Sequence, residues 1–220
     1  MIAFSHVSNV SGIKLPAKEI CQLAMSKNIL TLVDGAQTVG FMDLNVNEMG
    51  CSFYTSSTHK WLMGPMENGI LYARSEHHDK IWPGIVGGGW RAGGKTLDER
   101  ICVLGQRNDP TTAGIPSMVD FHNLIGKKNI EDRVVSLNTA LKKGLTTKIP
   151  SIKFVTPIDS SMSGGIVISN IPGKDAKELV PSLYKNAGIA CAASGGIRLS
   201  PHVYNTMSDI EKVVDALAGL

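Results

Sequence analysis

Two residues in this chain have the type and setting for covalent chemistry. Lys60 closes a polar loop, Ser57-Thr58-His59-Lys60, that follows an apolar run, and Asp34 ends a second apolar run from Ile29 to Val33. A primary amine forms an imine with an aldehyde, and a carboxylate held at the end of a buried strand keeps a ring nitrogen protonated. These are the lysine and the acid that a pyridoxal-phosphate site needs, together with donors for the phosphate. The cationic ring then accepts the electron pair released when a bond at Cα breaks. Taken singly, each residue has a plainer reading, because Asp-Gly after a strand is usually a turn and a lysine in a polar loop is usually solvated surface.

The elements that must position this pair are legible in the hydrophobic pattern. Ile2 to Val7 reads as a strand, and Pro16 opens a helix with Ile20, Leu23 and Ala24 on one face. Ile29 to Val33 reads as a strand buried on both faces and stopped by Asp34-Gly35. Cys51 to Thr55 and Gly69 to Ala73 are further strands. The alternation predicts an α/β domain with a mostly parallel sheet, whose ligands sit beyond the carboxyl ends of the strands. Asp34 and the loop from Ser57 to Lys60 both lie at such ends. The glycine-dense stretch from Pro83 to Gly94 reads as a long surface loop. Helices are predicted over Thr111 to Lys127 and Ile130 to Lys143. Short strands at 152–155, 165–169, 189–192 and 197–199, with helices at 175–187 and 208–217, form a compact α+β remainder. We place the boundary near residue 130, giving units 1–130 and 131–220.

Several ordered motifs make the pattern specific. Ser5-His6-Val7-Ser8-Asn9-Val10-Ser11-Gly12, Val33-Asp34-Gly35-Ala36-Gln37, Phe53 to Lys60, Gly64-Pro65, Gly69-Ile70-Leu71-Tyr72 and Ile197-Arg198-Leu199-Ser200-Pro201 occur in that order. Together they resemble the class V aminotransferase-type family, which includes cysteine desulfurases, selenocysteine lyases, isopenicillin N epimerase and related C–S lyases. The resemblance implies a partial large domain of the aspartate-aminotransferase-like pyridoxal-phosphate transferase fold, followed by the small domain. It makes Lys60 the Schiff-base lysine, Asp34 the partner of the pyridinium nitrogen, and Gln37 a contact of the ring hydroxyl. Ser57 and His59 become phosphate donors, and Asn9 lies beside the ring hydroxyl or the substrate. Arg198 matches the arginine that clamps a substrate α-carboxylate, a task suited to its planar fork of donors. A salt bridge within the small domain is the rival role for Arg198. Gly105 to Thr112 matches a loop that crosses to a partner subunit's cofactor phosphate, with Arg107 as the candidate contact, so a homodimer with shared sites is implied.

The chain departs from the family in two ways. Family members are nearly twice as long, and the part lacking here is amino-terminal, where the family carries a phosphate-binding turn at a helix start and a group that stacks on the ring. The chain therefore reads as a fragment, a mis-started reading frame or one piece of a split enzyme, and a non-catalytic relative or interaction module is the rival class. Desulfurases and selenocysteine lyases also need a reactive cysteine on a mobile loop before the arginine. Gly188 to Arg198 leaves little room for one, and Cys191 lies among small apolar residues, so epimerase, C–S lyase or aminotransferase-like chemistry at Cα of an amino-acid-like substrate is favoured.

A different class of function is suggested by Gly89 to Thr96, which satisfies the phosphate-loop spacing G-x-x-x-x-G-K-[ST]. Pro83 and the glycines deny it a preceding strand, and Leu97 to Val103 reads as a poor helix start. The 220 residues carry a net charge of +3 with scattered basic residues, so no nucleic-acid footprint is visible. Lys127-Lys128 and Lys142-Lys143 read as solvated helix faces. No metal-ligand spacing stands out, and four cysteines without a CxxC pair favour reduced thiols. Without a basic start followed by an apolar stretch, or a long uninterrupted apolar run, the expectation is a cytoplasmic protein with no membrane partner.

Overall fold

The computed structural model describes residues 1–220 apart from 89, 91–93, 95, 103–104 and 106–107. The first half builds one four-stranded sheet from β1 (Ile2–Ser5), β2 (Thr31–Asp34), β3 (Phe53–Ser57) and β4 (Gly69–Ala73), in that spatial order. β1, β2 and β3 run parallel, and β4 runs antiparallel to β3. Because β2 and β3 are parallel neighbours, the turn after Asp34 and the loop after Ser57 emerge on the same side of the sheet.

Residues in register across a sheet project to the same face. Phe4, Val33, Tyr54 and Tyr72 therefore line one face, and they pack with Ala17, Cys21, Met49 and Cys51. The first two of these come from α1 (Ala17–Ser26), whose buried residues are Ala17, Cys21 and Ala24. Leu23, expected on that face, is instead 64% exposed. It follows Cys21 by two positions, about 200° around a helix of 3.6 residues per turn, and so points away from the core. A short helix, α2 (Val46–Met49), is capped by the Asn45 side chain and leads into β3.

The loop expected from Pro83 to Gly94 contains no helix or strand among the described residues. A helix does follow it: α3 (Leu97–Ile101) starts from Thr96, contrary to the reading of that stretch as a poor helix start. A capping box explains it, since Thr96 Oγ1 accepts from the Glu99 amide while the Glu99 carboxylate accepts from the Thr96 amide. α4 (Asp109–Ile125) and α5 (Lys127–Lys148) are long and lie in contact.

The second sheet is antiparallel throughout, ordered β5-β6-β8-β7, with β5 (Lys153–Phe154), β6 (Val167–Asn170), β7 (Ala192–Ala193) and β8 (Ile197–Leu199). α6 (Ala176–Ala187) and α7 (Met207–Ala218) pack beside it, and Leu137, Leu141 and Leu145 of α5 share a core with Val167, Leu183, Ile197 and Val214. One turn earlier, Ile130 and Val134 of α5 instead join Phe41, Trp61, Ile166 and Ile168. α5 thus contributes to two cores along its length.

Lys142 overturns its reading as a solvated residue. It is only 4% exposed, and its Nζ donates to Pro157 O at 2.7 Å, Ser163 Oγ at 2.7 Å and Ile158 O at 3.4 Å. The turn that supplies these acceptors folds over α5, a long-range contact that helical periodicity cannot reveal. Burial lowers the Lys142 ammonium below its ordinary value.

Candidate active site

The turn after β2 is fixed from several directions. The Asp34 carboxylate accepts from Ser5 Oγ at 3.2 Å, across the β1–β2 pair, and from the Ala36 amide at 2.9 Å. It remains exposed on the solvent side. Gly35 has no room for a side chain, because a Cβ there would stand 2.0 Å from the Tyr54 ring. Its carbonyl accepts from Thr38 Oγ1 at 2.9 Å and from Ser56 Oγ at 3.1 Å.

Beneath that turn lies a buried polar chain. Thr38 Oγ1 stands 2.5 Å from Tyr54 Oη, which in turn stands 3.0 Å from His6 Nδ1. Since Thr38 gives its proton to Gly35 O, the consistent assignment has Tyr54 donating to Thr38 and His6 Nδ1–H donating to Tyr54. Burial, helped by Lys14, lowers the His6 pKa to about 4, so the ring is neutral near pH 7. Burial pushes the Tyr54 phenol up. Neither residue stood out in the sequence, since a His and a Tyr 48 positions apart carry no local signal.

Beyond β3, Thr58 shapes the loop. It is fully buried, with its hydroxyl donating to Pro65 O at 3.0 Å and Asn68 O at 3.2 Å. Its neighbours are left outward: His59 and Lys60 are exposed, and among the described residues neither side chain has a hydrogen-bond or ion-pair partner. Ser57 Oγ is a buried hydroxyl without a partner among the described residues. A buried donor without a partner costs about 1–3 kcal/mol, so a group accepting from Ser57 gains a contact the protein alone leaves unmade.

The remaining predicted residues come together from the ends of the chain. Arg198 on β8 donates from a guanidinium nitrogen to Asn9 O at 3.5 Å, across 189 positions. Gly195, in the turn between β7 and β8, packs so closely on the Val10 carbonyl that a Cβ would stand 2.4 Å from it. Among the described residues no carboxylate pairs with Arg198, so the internal salt bridge considered for it is not formed there. Asn9 is exposed beside it. Gln37 is half-buried and engaged by Trp61, whose indole N–H donates to its Oε1 at 3.0 Å. Arg107 lies outside the described residues, as does most of Gly89 to Thr96. The described residues hold no cluster of potential metal ligands.

The fold and these residues describe an α/β protein with a lysine, a carboxylate and an unpartnered hydroxyl at the carboxyl ends of adjacent parallel strands. A family model for aminotransferase class V matches residues 1–213, and the chain belongs to that family, one of pyridoxal-phosphate-dependent enzymes. It is 30% identical to isopenicillin N epimerase of Streptomyces clavuligerus, over 99% of this chain and 59% of that protein. It is 31% identical to a probable cysteine desulfurase of Xylella fastidiosa, over 99% of this chain and 56% of that protein. The fold matches an apo cysteine desulfurase from Thermococcus onnurineus with a TM-score of 0.86 at 24% identity, covering 99% of this chain and 58% of the other. Cysteine desulfurase CsdA from Escherichia coli gives a TM-score of 0.82 at 24% identity, with 98% and 57% covered. The chain therefore spans somewhat more than half the length of the proteins it matches. Among the described residues no helix is long and apolar enough to cross a membrane.

Proposed function

We propose that this chain carries the lysine half of a pyridoxal-phosphate site and that the whole protein acts at Cα of an amino-acid-like substrate. The observation that carries the reading is the juxtaposition at one end of the sheet. Among the described residues Lys60 is unpartnered beyond β3 and Ser57 Oγ is buried without a partner, while Asp34 is braced at the end of the adjacent β2. These residues fit the cofactor's needs for an amine, an anion facing a ring cation, and a donor for phosphate. When bound, pyridoxal phosphate supplies an electron sink that labilises a bond at Cα.

The chain's own groups divide the remaining work. Asp34, fixed by Ser5 and Ala36, holds a negative charge where it stabilises the protonated ring nitrogen, while Gln37 reaches the ring oxygen. Ser57 and His59 donate to phosphate, and Arg107 is the candidate contact to a partner subunit's cofactor phosphate. Arg198 and Asn9 orient the substrate, the guanidinium through its fork of donors to a carboxylate. Lys60 would hold the cofactor, and its amine is the group that would take or return the proton at Cα.

The structure of the second sheet favours chemistry other than sulfur transfer. β7 and β8 are joined through Ser194, Gly195 and Gly196 with Ala193 paired to Ile197, so no long loop intervenes. Cys191 is half-buried against the small core, and burial raises its thiol pKa, the opposite of an activated thiolate. Epimerase, lyase or aminotransferase-like reactions therefore stand ahead of a desulfurase using Cys191. A division of the chain near residue 130, a homodimer with shared sites and a cytoplasmic location complete the proposal.

The test is an absorbance titration of the purified chain with pyridoxal phosphate, then borohydride reduction and peptide mapping. A single adduct at Lys60 is expected. An adduct elsewhere, or no visible band, refutes the reading for this polypeptide.

A further inference from the structure

Trp61 follows Lys60 directly, and its place in the fold fixes more than its own packing. The indole is 4% exposed and is held on several sides. It lies 4.8 Å from Phe41 and stacks on His202 at 5.2 Å and 17°. Gly165 approaches so closely that a Cβ there would stand 2.5 Å from the indole Cη2. The Trp61 carbonyl is approached by Nε2 of His122 and Nε2 of His202, each at 3.2 Å. His202 Nδ1 accepts from the Val203 amide at 2.9 Å, so its Nε2 carries the proton and donates to that carbonyl. The residue beside the lysine is thus pinned to the segment that follows Arg198.

A pinned indole has one polar consequence, because its N–H only donates. The Nε1–H meets Gln37 Oε1 at 3.0 Å. The opposite amide flip would set the NH2 group against that N–H, two donors facing each other. The amide is therefore held with its oxygen toward Trp61 and its two N–H donors away from it. Among the described residues the Gln37 NH2 has no partner.

We infer that Trp61 is a positioning residue that locks the Gln37 amide, so that its NH2 donates to the ring oxygen of pyridoxal phosphate. The inference rests on the cofactor reading above and adds to it a residue that never touches the cofactor. A donor at the ring oxygen draws electron density from it, and the oxygen then holds the neighbouring proton less tightly. Loss of that donor raises the pH at which the visible band of the bound cofactor titrates.

The test compares Trp61→Phe, Gln37→Leu and the double variant after loading with pyridoxal phosphate. Trp61→Phe keeps an aromatic ring between Phe41 and His202 but removes the N–H. Each single variant is expected to raise the titration midpoint by about one pH unit, the scale of one hydrogen bond. The double variant is expected to raise it no further, because both act through one amide. In the cofactor-free protein, Gln37→Leu is expected to shift the indole N–H resonance that Trp61→Phe deletes.

A midpoint that Trp61→Phe leaves in place, or single shifts that add in the double variant, overturns the inference while the cofactor reading stands. A wild-type chain that develops no visible band overturns both. Should Trp61→Phe fail to fold, Gln37→Glu retains the indole contact and replaces the NH2 with an acceptor. Its midpoint must also rise, and an unchanged value overturns the inference.

Discussion

Lys60 and Lys142 sit in opposite settings, and the contrast separates an amine left free for a ligand from one engaged in holding the fold. Lys142 is buried, with its ammonium satisfied by Pro157 O, Ile158 O and Ser163 Oγ. Lys60 is exposed, and among the described residues its amine has no partner, while its surroundings hold a braced carboxylate and an idle hydroxyl. An ammonium whose donors are all engaged holds a fold together, whereas an unengaged amine near complementary groups is available to a ligand.

The sharpest way to break this comparison is Lys60→Ala. It should abolish the borohydride-trapped adduct seen by peptide mapping, yet change unfolding free energy by no more than about 0.5 kcal/mol, as surface substitutions do. A large stability loss would mean that Lys60 is structural after all.

His6 gives the next largest effect and extends the buried side of the comparison. Its native pKa of about 4 lies below the ordinary 6.5. Between these values the unfolded chain binds a proton that the native state refuses. The stability His6 contributes is fully present above pH 6.5 and is lost as the pH falls toward 4. The shift corresponds to about 3 kcal/mol. Urea unfolding measured across that range should show the loss, and His6→Gln should flatten it.

Lys142→Met should cost about 2 kcal/mol, because its oxygen acceptors lose their donor inside the fold. Chemical denaturation measures the cost, and the adduct at Lys60 should still form in this variant. The smallest effect belongs to Ser57→Ala. Among the described residues its hydroxyl has no partner to lose, and removing an unmet buried donor should raise the stability of the cofactor-free chain by about 1 kcal/mol, while affinity for pyridoxal phosphate falls roughly 5–10-fold, the worth of one hydrogen bond. A cofactor titration with a matched unfolding curve separates the two.

Much of the first sheet could be read from local pattern. Gly69 to Ala73 was bounded as the structure has it, and the ends of β2 and β3 were located closely enough to place Asp34 and Lys60 at the same edge. The antiparallel direction of β4 was not readable, because strand direction depends on how the preceding loop returns. The capping box that starts α3 is present in the sequence as Thr96 and Glu99, and Thr96 stands just before the stretch from Leu97 that reads as a poor helix start. Leu23 is exposed rather than buried because a short helix offers more than one apolar face until its neighbours choose.

Local pattern is enough to say which residue types stand at strand ends and in what order, since periodicity and turn chemistry act over a few positions. Lys60, Asp34 and Ser57 follow from that. It takes the folded chain to show that Arg198 meets the Asn9 carbonyl, that Tyr54 and His6 brace the floor under Gly35, and that the Trp61 indole donates to the Gln37 amide. The folded chain also decides that Lys142 is buried rather than solvated. Each of these depends on close packing between segments far apart in the chain, and a hydrogen bond between such segments has no local signature to read.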